Sequence, residues 1–139
     1  MTNEILENIA NNYFSILSVE QVMNKLLGYN HDDQVLIYSS TYKENTILSG
    51  DFDSDRGSYD RLCLELSDKE ESPVKTVRDL YQLFQQALKQ GEMVGYKGGE
   101  YGIYGHTDVT VGFYSETGDA VVAVKKIDDK VTLICKYDW

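Results

Sequence analysis

The stretch Thr76–Leu88, TVRDLYQLFQQAL, decides the class of fold predicted for this chain. Thr76 and Asp79 have the spacing of a helical capping box, and Gly91 is placed to end the helix. Between them, apolar residues recur at the three- and four-residue spacing of one helical face. They are Val77, Leu80, Tyr81, Phe84, Ala87 and Leu88. We therefore predict an amphipathic helix that covers one face of a sheet.

A similar pattern occurs earlier in the chain. Ser18 and Gln21 form a second capping box, an apolar face follows in 19–27, and Gly28 is placed to end the helix. Both stretches read as a cap, a valine and then apolar spacing. A capped helix followed by strands could therefore occur twice, although a match this short could also arise by chance.

The rest of the chain contains apolar and alternating runs that predict strands. These runs are residues 35–38, 62–66, 109–114, 120–126 and 131–136. Short polar turns separate the last three runs, as in an antiparallel meander. The predicted fold class is α+β, with an antiparallel sheet of about five or six strands packed against two or three helices. We expect a single domain over residues 1–139, because the chain is long enough for one core and contains one proline.

The composition restricts the class of partner. Thirteen basic and twenty-three acidic residues give a formal net charge of −10. A nucleic-acid-binding surface is not expected, because phosphate contacts need a basic patch. The acidic balance favours either a solvated surface or a partner with a basic face. We expect no membrane segment, since no apolar run approaches the length that spans a bilayer.

Neither catalytic nor metal chemistry is predicted. Asp51, Asp53 and Asp55 have part of a calcium-loop spacing, but Gly57 comes one place late and Leu62 stands where a glutamate is needed. The two cysteines, Cys63 and Cys135, lie in strand-like runs where burial is expected, so a cysteine–histidine nucleophile with His31 or His106 is not supported. Without a recognisable constellation we expect a protein that is not an enzyme and has no cofactor.

The stretch Gly95–Tyr101, GYKGGEY, is the first candidate for a binding site. Lys97 supplies a cation, and Tyr96 and Tyr101 supply flat faces with a polar tip. Gly98 and Gly99 let the backbone come close to another group. This composition suits a small, anionic and planar ligand, and it equally suits an ordinary turn between two strands.

Arg56 and Tyr59 are the second candidate. An arginine can hold a phosphate through two parallel hydrogen bonds, and a tyrosine can stack on a base. In the alternative, Arg56 pairs with a neighbouring aspartate and fixes the loop, while the tyrosine packs against the protein.

Together these stretches resemble a family of small, largely uncharacterised proteins from tailed bacteriophages. Ser54–Tyr59 is similar to the family pattern Ser-Tyr-Arg-Gly-x-Tyr, and Gly95–Tyr101 matches Gly-Tyr-Lys-Gly-Gly-x-Tyr. The resemblance covers roughly residues 18–125 and leaves residues 1–17 outside it as an N-terminal helical extension. One departure is Asp55, which replaces the tyrosine before the arginine and puts a carboxylate beside Arg56.

The resemblance implies a phage accessory protein that acts in the host cytoplasm, which also fits buried and reduced cysteines. Our leading hypothesis is a counter-defence protein that binds and sequesters a small nucleotide-derived immune signal. In it Arg56 and Lys97 hold phosphate, and a tyrosine stacks on the base. The candidate ligand-binding residues are Arg56, Tyr59, Tyr96, Lys97, Gly98, Gly99 and Tyr101. The alternative is an acidic inhibitor that docks directly on a host defence protein; a homo-oligomer is compatible with both.

Overall fold

The computed structural model describes residue 8 and residues 15–39, 47–56, 60–67, 73–93, 104–112 and 119–137. Its elements, in chain order, are α1 (Val19–Leu26), β1 (Gln34–Ser39), β2 (Ile47–Arg56), β3 (Asp60–Ser67), α2 (Val77–Met93), β4 (Asp108–Gly112), β5 (Asp119–Ile127) and β6 (Lys130–Lys136). The predicted α+β class is confirmed, as is the number of strands. Neither helix is long and apolar enough to cross a membrane within this described part of the chain.

The six strands form one sheet in the order β1-β6-β5-β4-β3-β2. The prediction of an antiparallel sheet is wrong in part, because β1 lies parallel to β6 and β3 lies parallel to β4. The second parallel pair follows from the connection through α2, since a helical crossover returns the chain in the same direction. The edge strands β1 and β2 approach each other, so the sheet is nearly closed into a barrel.

The main core lies between the two helices and one face of the sheet. Phe84 of α2 and Leu26 of α1 are among the largest side chains that are fully buried there. Leu62 and Leu64 of β3 meet them from the sheet, together with Val109 of β4. The amphipathic pattern that predicted α2 is therefore the pattern of residues that this core buries.

We call the opposite side of the sheet, turned away from α1 and α2, the far face. A smaller apolar cluster occupies it on β1, β5 and β6. Its buried members are Tyr38, Ala120, Val122, Ala123 and Ile134.

The chain is built from two similar halves, α1-β1-β2-β3 and α2-β4-β5-β6. The first residues of each helix form hydrogen bonds with a turn that belongs to the other half. The first backbone N–H groups of α1 donate to the turn before β4: Val19 to the carbonyl of Thr107 at 2.8 Å, and Glu20 to that of Gly105 at 2.9 Å. These two hydrogen bonds join the start of α1 to the start of β4.

The reciprocal contact joins the start of α2 to the turn before β1. Val77 donates to the carbonyl of Asp33 at 2.9 Å, and Arg78 donates to that of His31 at 3.0 Å. Strand register repeats as well, because β1 runs parallel to β6 as β4 runs parallel to β3. Contacts that are exchanged in this way are the mark of approximate twofold symmetry. The repeat that the two capping patterns suggested is thus present in the structure.

Both helices carry the predicted capping boxes. The Ser18 N–H donates to Gln21 Oε1 at 2.9 Å, and the Gln21 N–H donates back to Ser18 Oγ at 3.2 Å. The Thr76 N–H donates to Asp79 Oδ2 at 3.1 Å, and the Asp79 N–H donates to Thr76 Oγ1 at 3.2 Å. The two boxes differ in one respect, since only α2 uses an ionisable group.

We expect Asp79→Asn to reduce stability most at neutral pH. Hydrogen bonds from the backbone N–H groups of Lys75 and Thr76 lower the pKa of Asp79 below its ordinary value of 3.8, against an opposing effect of partial burial. Because the pKa is lower in the folded protein, the stabilisation is full above the unfolded value and is lost as the pH falls through the folded value. The free energy of unfolding in urea, measured from pH 7 down to pH 2.5, should therefore converge for the variant and the wild type.

The matched control is Ser18→Ala, which removes the cap of α1. It should reduce the free energy of unfolding by about 1 kcal/mol, as should Thr76→Ala. The stability lost in Ser18→Ala should not depend on pH, because the capping partner of Ser18 is Gln21, whose amide does not ionise. A pH-independent deficit in Asp79→Asn would contradict the role given to the carboxylate.

Candidate functional site

Six of the predicted site residues lie outside the described part of the chain. They are Tyr59, Tyr96, Lys97, Gly98, Gly99 and Tyr101. The seventh, Arg56, is the last residue of β2, where its backbone pairs with Asp60 of β3. The proposed contacts of these residues with a ligand therefore stay predictions, and the described residues around their attachment points define the candidate site.

The topology attaches both predicted segments to one end of the sheet. Residues 57–59 come directly before β3, and residues 94–103 lead into the turn before β4. These two strands are parallel, with Arg61 opposite Asp108 near their starts. Because parallel neighbouring strands begin at the same end of a sheet, both segments join the sheet at the end where β3 and β4 begin.

Both segments are also extensions of the internal repeat. Asp128 and Asp129 alone connect Ile127 to Lys130, the last pair of the β5–β6 hairpin. The equivalent pair in the other half is Asp55 of β2 with Arg61 of β3, and the five residues 56–60 separate them. In the same way, the three residues 27–29 connect α1 to the turn before β1. The equivalent connection, from α2 to the turn before β4, consists of residues 94–103 and is longer. The two segments that contain the predicted binding residues therefore lie where the connections of the two halves differ in length.

The far face of β3 and β4 carries a set of polar residues. Leu62 and Leu64 face the helices, so the alternate side chains of β3 face the other way. We define the polar patch as Arg61, Cys63 and Glu65 of β3 with their partners Asp108, Thr110 and Gly112 of β4. Arg61 is 8 % exposed, and Cys63 and Thr110 are more deeply buried. A charged guanidinium held at this depth is uncommon in a protein interior.

The repeat provides an internal comparison for this patch. The equivalent positions on β6 and β1 are Lys130, Thr132 and Ile134 with Gln34, Leu36 and Tyr38. Ile134 and Tyr38 are buried where the polar patch has Glu65 and Gly112. The fold therefore accommodates large apolar side chains at these two positions, whereas Lys130, Thr132 and Gln34 are polar like most of their counterparts in the patch.

Charge and aromatic groups meet at the start of β4. Partial burial raises the pKa of Asp108, and the charges of Arg61 and His106 act in the opposite direction. The His106 ring stacks on the Tyr104 ring, with centroids 5.5 Å apart and planes 5° from parallel. Tyr104 is 38 % exposed and His106 is exposed as well, so this aromatic pair lies at the surface, and the charge of His106 acts on Asp108 of the polar patch.

The two cysteines are buried, as predicted for strand residues. Burial strongly raises the pKa of the Cys135 thiol, and the charge of Asp119 adds to the effect. Asp119 is itself buried and accepts a hydrogen bond from the Ser39 hydroxyl at 2.5 Å. This environment opposes formation of a nucleophilic thiolate. Over the described ranges, no group of three histidine, cysteine, aspartate or glutamate residues is arranged to hold a metal ion.

Comparisons with protein-family models, curated proteins and solved structures found no match to this chain. The resemblance to a phage family therefore stays a prediction. Sequence reasoning missed Arg61, Asp108 and Glu65 as site residues, because each looks like the exposed side of a half-buried strand. The register of β3 against β4 is what brings them together.

Proposed function

We propose that this protein binds and sequesters a small nucleotide-derived ligand without transforming it. The observation that supports this most strongly is the polar patch, centred on the deeply placed Arg61, with Glu65 and Thr110 where the equivalent half of the chain has Ile134 and Leu36. In the biological setting suggested by the resemblance, the ligand is an immune signal of the bacterial host, and the protein acts in the host cytoplasm as a counter-defence factor.

Each part of the ligand has a chemically suitable partner near the patch. The Arg61 guanidinium can hold a phosphate through two parallel hydrogen bonds, which are stronger away from bulk water. The Tyr104–His106 pair offers a flat face on which a base can stack. Arg56 and Lys97 are proposed as further phosphate contacts from the two extensions.

A second candidate function is favoured by the formal charge of −10. In that proposal the protein is an acidic inhibitor that docks on a basic face of a host defence protein. High salt and neutralising surface substitutions would weaken such a complex, and changes in the polar patch would have little effect. The nucleotide-binding proposal predicts the opposite: changes in the polar patch would weaken binding, and neutralising surface substitutions would have little effect.

The test is thermal unfolding of the purified protein against cyclic and ADP-ribose-type nucleotides. A ligand at about 100 times its Kd stabilises the folded state by roughly 2.7 kcal/mol, so a binder should raise the Tm clearly. Nucleotide released from the heated complex should be chemically unchanged, whereas an altered product would indicate an enzyme. A panel without any shift would contradict the proposal for these ligands and favour the inhibitor.

A further inference from the structure

We propose that the smaller apolar cluster on the far face is a docking surface, and that its occupant is the chain's own N-terminal segment, residues 1–14. The cluster lies on β1, β5 and β6, and each of its five buried members is at most 8 % exposed. In the described part of the chain, the partly buried apolar side chains packed against it are Ile16 and Ile127. Two side chains are too few to cover a surface that extends over three strands, so a further apolar segment is needed.

The path of the chain brings the N-terminal segment to this cluster. The Leu17 N–H donates to the carbonyl of Val121 at 2.8 Å, and the Val109 N–H donates to the carbonyl of Leu17 at 3.0 Å. Leu17 is thus held between β5 and β4 and packs against the main core, whereas Ile16 packs against the far-face cluster. Residues 1–14 therefore join the fold beside the cluster.

The sequence of the segment suits an apolar surface. Apolar residues recur in it at the spacing of one helical face, and they are Ile5, Leu6, Ile9 and Tyr13. Asn8, which the structure describes, is helical and exposed, and its position lies outside that face of the pattern. A helix over residues 3–14 extends about 18 Å, and three neighbouring strands are roughly 10 Å across. The segment is therefore long enough to cover β1, β6 and β5.

Charge favours the chain's own segment as the occupant. Lysines flank the cluster on the same face of β5 and β6, and they are Lys125, Lys130 and Lys136. The charged side chains of the segment are Glu4 and Glu7. An acidic amphipathic segment is thus complementary to an apolar surface with a basic rim.

The internal repeat shows that this surface is not a requirement of the fold. The other half has Asp53 at the position equivalent to Lys125, and Glu65 at the position equivalent to Ile134. The apolar and basic character therefore belongs to the strands beside which residues 1–14 join the fold.

The experiment is thermal unfolding of the full chain. Ile9→Ala should lower the Tm by about 5 °C or more, because shortening a side chain that is buried on the cluster leaves a cavity. Leu27→Ala is the matched control: Leu27 is 55 % exposed, and its loss should change the Tm by less than about 2 °C. If Ile9→Ala does not unfold cooperatively, Ile9→Val provides the same comparison with a smaller loss.

Combined variants test where the segment docks. Ile9→Ala is paired with Val122→Ala and, separately, with Ile134→Ala, since both side chains are buried in the cluster. In at least one pair the Tm loss should fall short of the sum of the single losses by about 2 °C or more, as for side chains in contact. The same pairs made with Leu27→Ala should be additive.

Three results would overturn the proposal. Equal Tm values for Ile9→Ala and Leu27→Ala would show that the apolar stripe of the segment covers nothing. Additive losses in both Ile9 pairs would place the segment away from the cluster. A dimer in light scattering, in which dilution removes the effect of Ile9→Ala, would make the occupant the segment of a second copy. We expect a monomer whose Tm does not depend on protein concentration.

Discussion

Arg61→Ala should weaken nucleotide binding about 100-fold, whereas Lys130→Ala should leave the affinity within about twofold. The two residues occupy equivalent positions at the starts of β3 and β6, so the second variant is a control for loss of a cation at the same place in the fold. The 100-fold loss corresponds to about 2.7 kcal/mol, which is within the range for hydrogen bonds to charged groups. Isothermal titration at one fixed low salt concentration measures both.

Two further measurements make the Arg61 prediction specific. Arg61 lies beside Asp108, so Arg61→Ala should also reduce stability, and urea unfolding of the free protein must show that the variant is folded at the titration temperature. Arg61→Lys keeps the charge but loses the planar fork, and its affinity should fall between those of the alanine variant and the wild type. An equal loss in Arg61→Ala and Lys130→Ala would point to net charge and not to a site on β3.

Shortening the β2–β3 hairpin to the length of its counterpart should abolish binding and preserve the fold. The change replaces residues 56–60 with Asn-Gly, so that Asp55 and Arg61 close a two-residue turn as Ile127 and Lys130 do. Asn-Gly is the preferred sequence for a turn with positive φ at both central residues. The variant loses Arg56 and Tyr59 together, and we expect its nucleotide affinity to fall at least 100-fold, with cooperative unfolding retained.

The control for the hairpin variant puts the same turn into the other half. Asp128 and Asp129 have φ values of 51° and 64°, which an aspartate adopts at some energetic disadvantage. Replacing them with Asn-Gly should increase the free energy of unfolding by a few tenths of a kcal/mol and leave the affinity unchanged. If the shortened β2–β3 hairpin binds nucleotide as well as the wild type does, the hairpin is not part of the site.

The elements that sequence reasoning predicted are those with local signals. The capping boxes at Ser18 and Thr76, the apolar face of α2 and the turn at Asp128 each depend on residues a few positions apart. The parallel pairing of β1 with β6 could not be predicted in this way. Those strands are nearly a hundred residues apart, and their direction is set by where the two helices return the chain.

The candidate site was less accessible to sequence reasoning than the fold. Arg56 and Lys97 stood out because glycine and tyrosine surround them, and such motifs are visible without a structure. Arg61, Asp108 and Glu65 have ordinary neighbours, and only the strand register gives them a common surface. The similarity of the two capped helices was the available signal, since recognising the repeat allows β3 to be compared with β6.

The most direct measurement is an NMR titration of isotopically labelled protein with the nucleotide that gives the largest thermal shift. Binding at the polar patch should move the backbone amide signals of residues 61–65 and 108–112 together as nucleotide is added. The equivalent residues 130–134 and 34–38 should move much less and serve as the reference within the same spectrum. If the largest changes fall on these reference residues, or outside both sets, the polar patch is not the binding site.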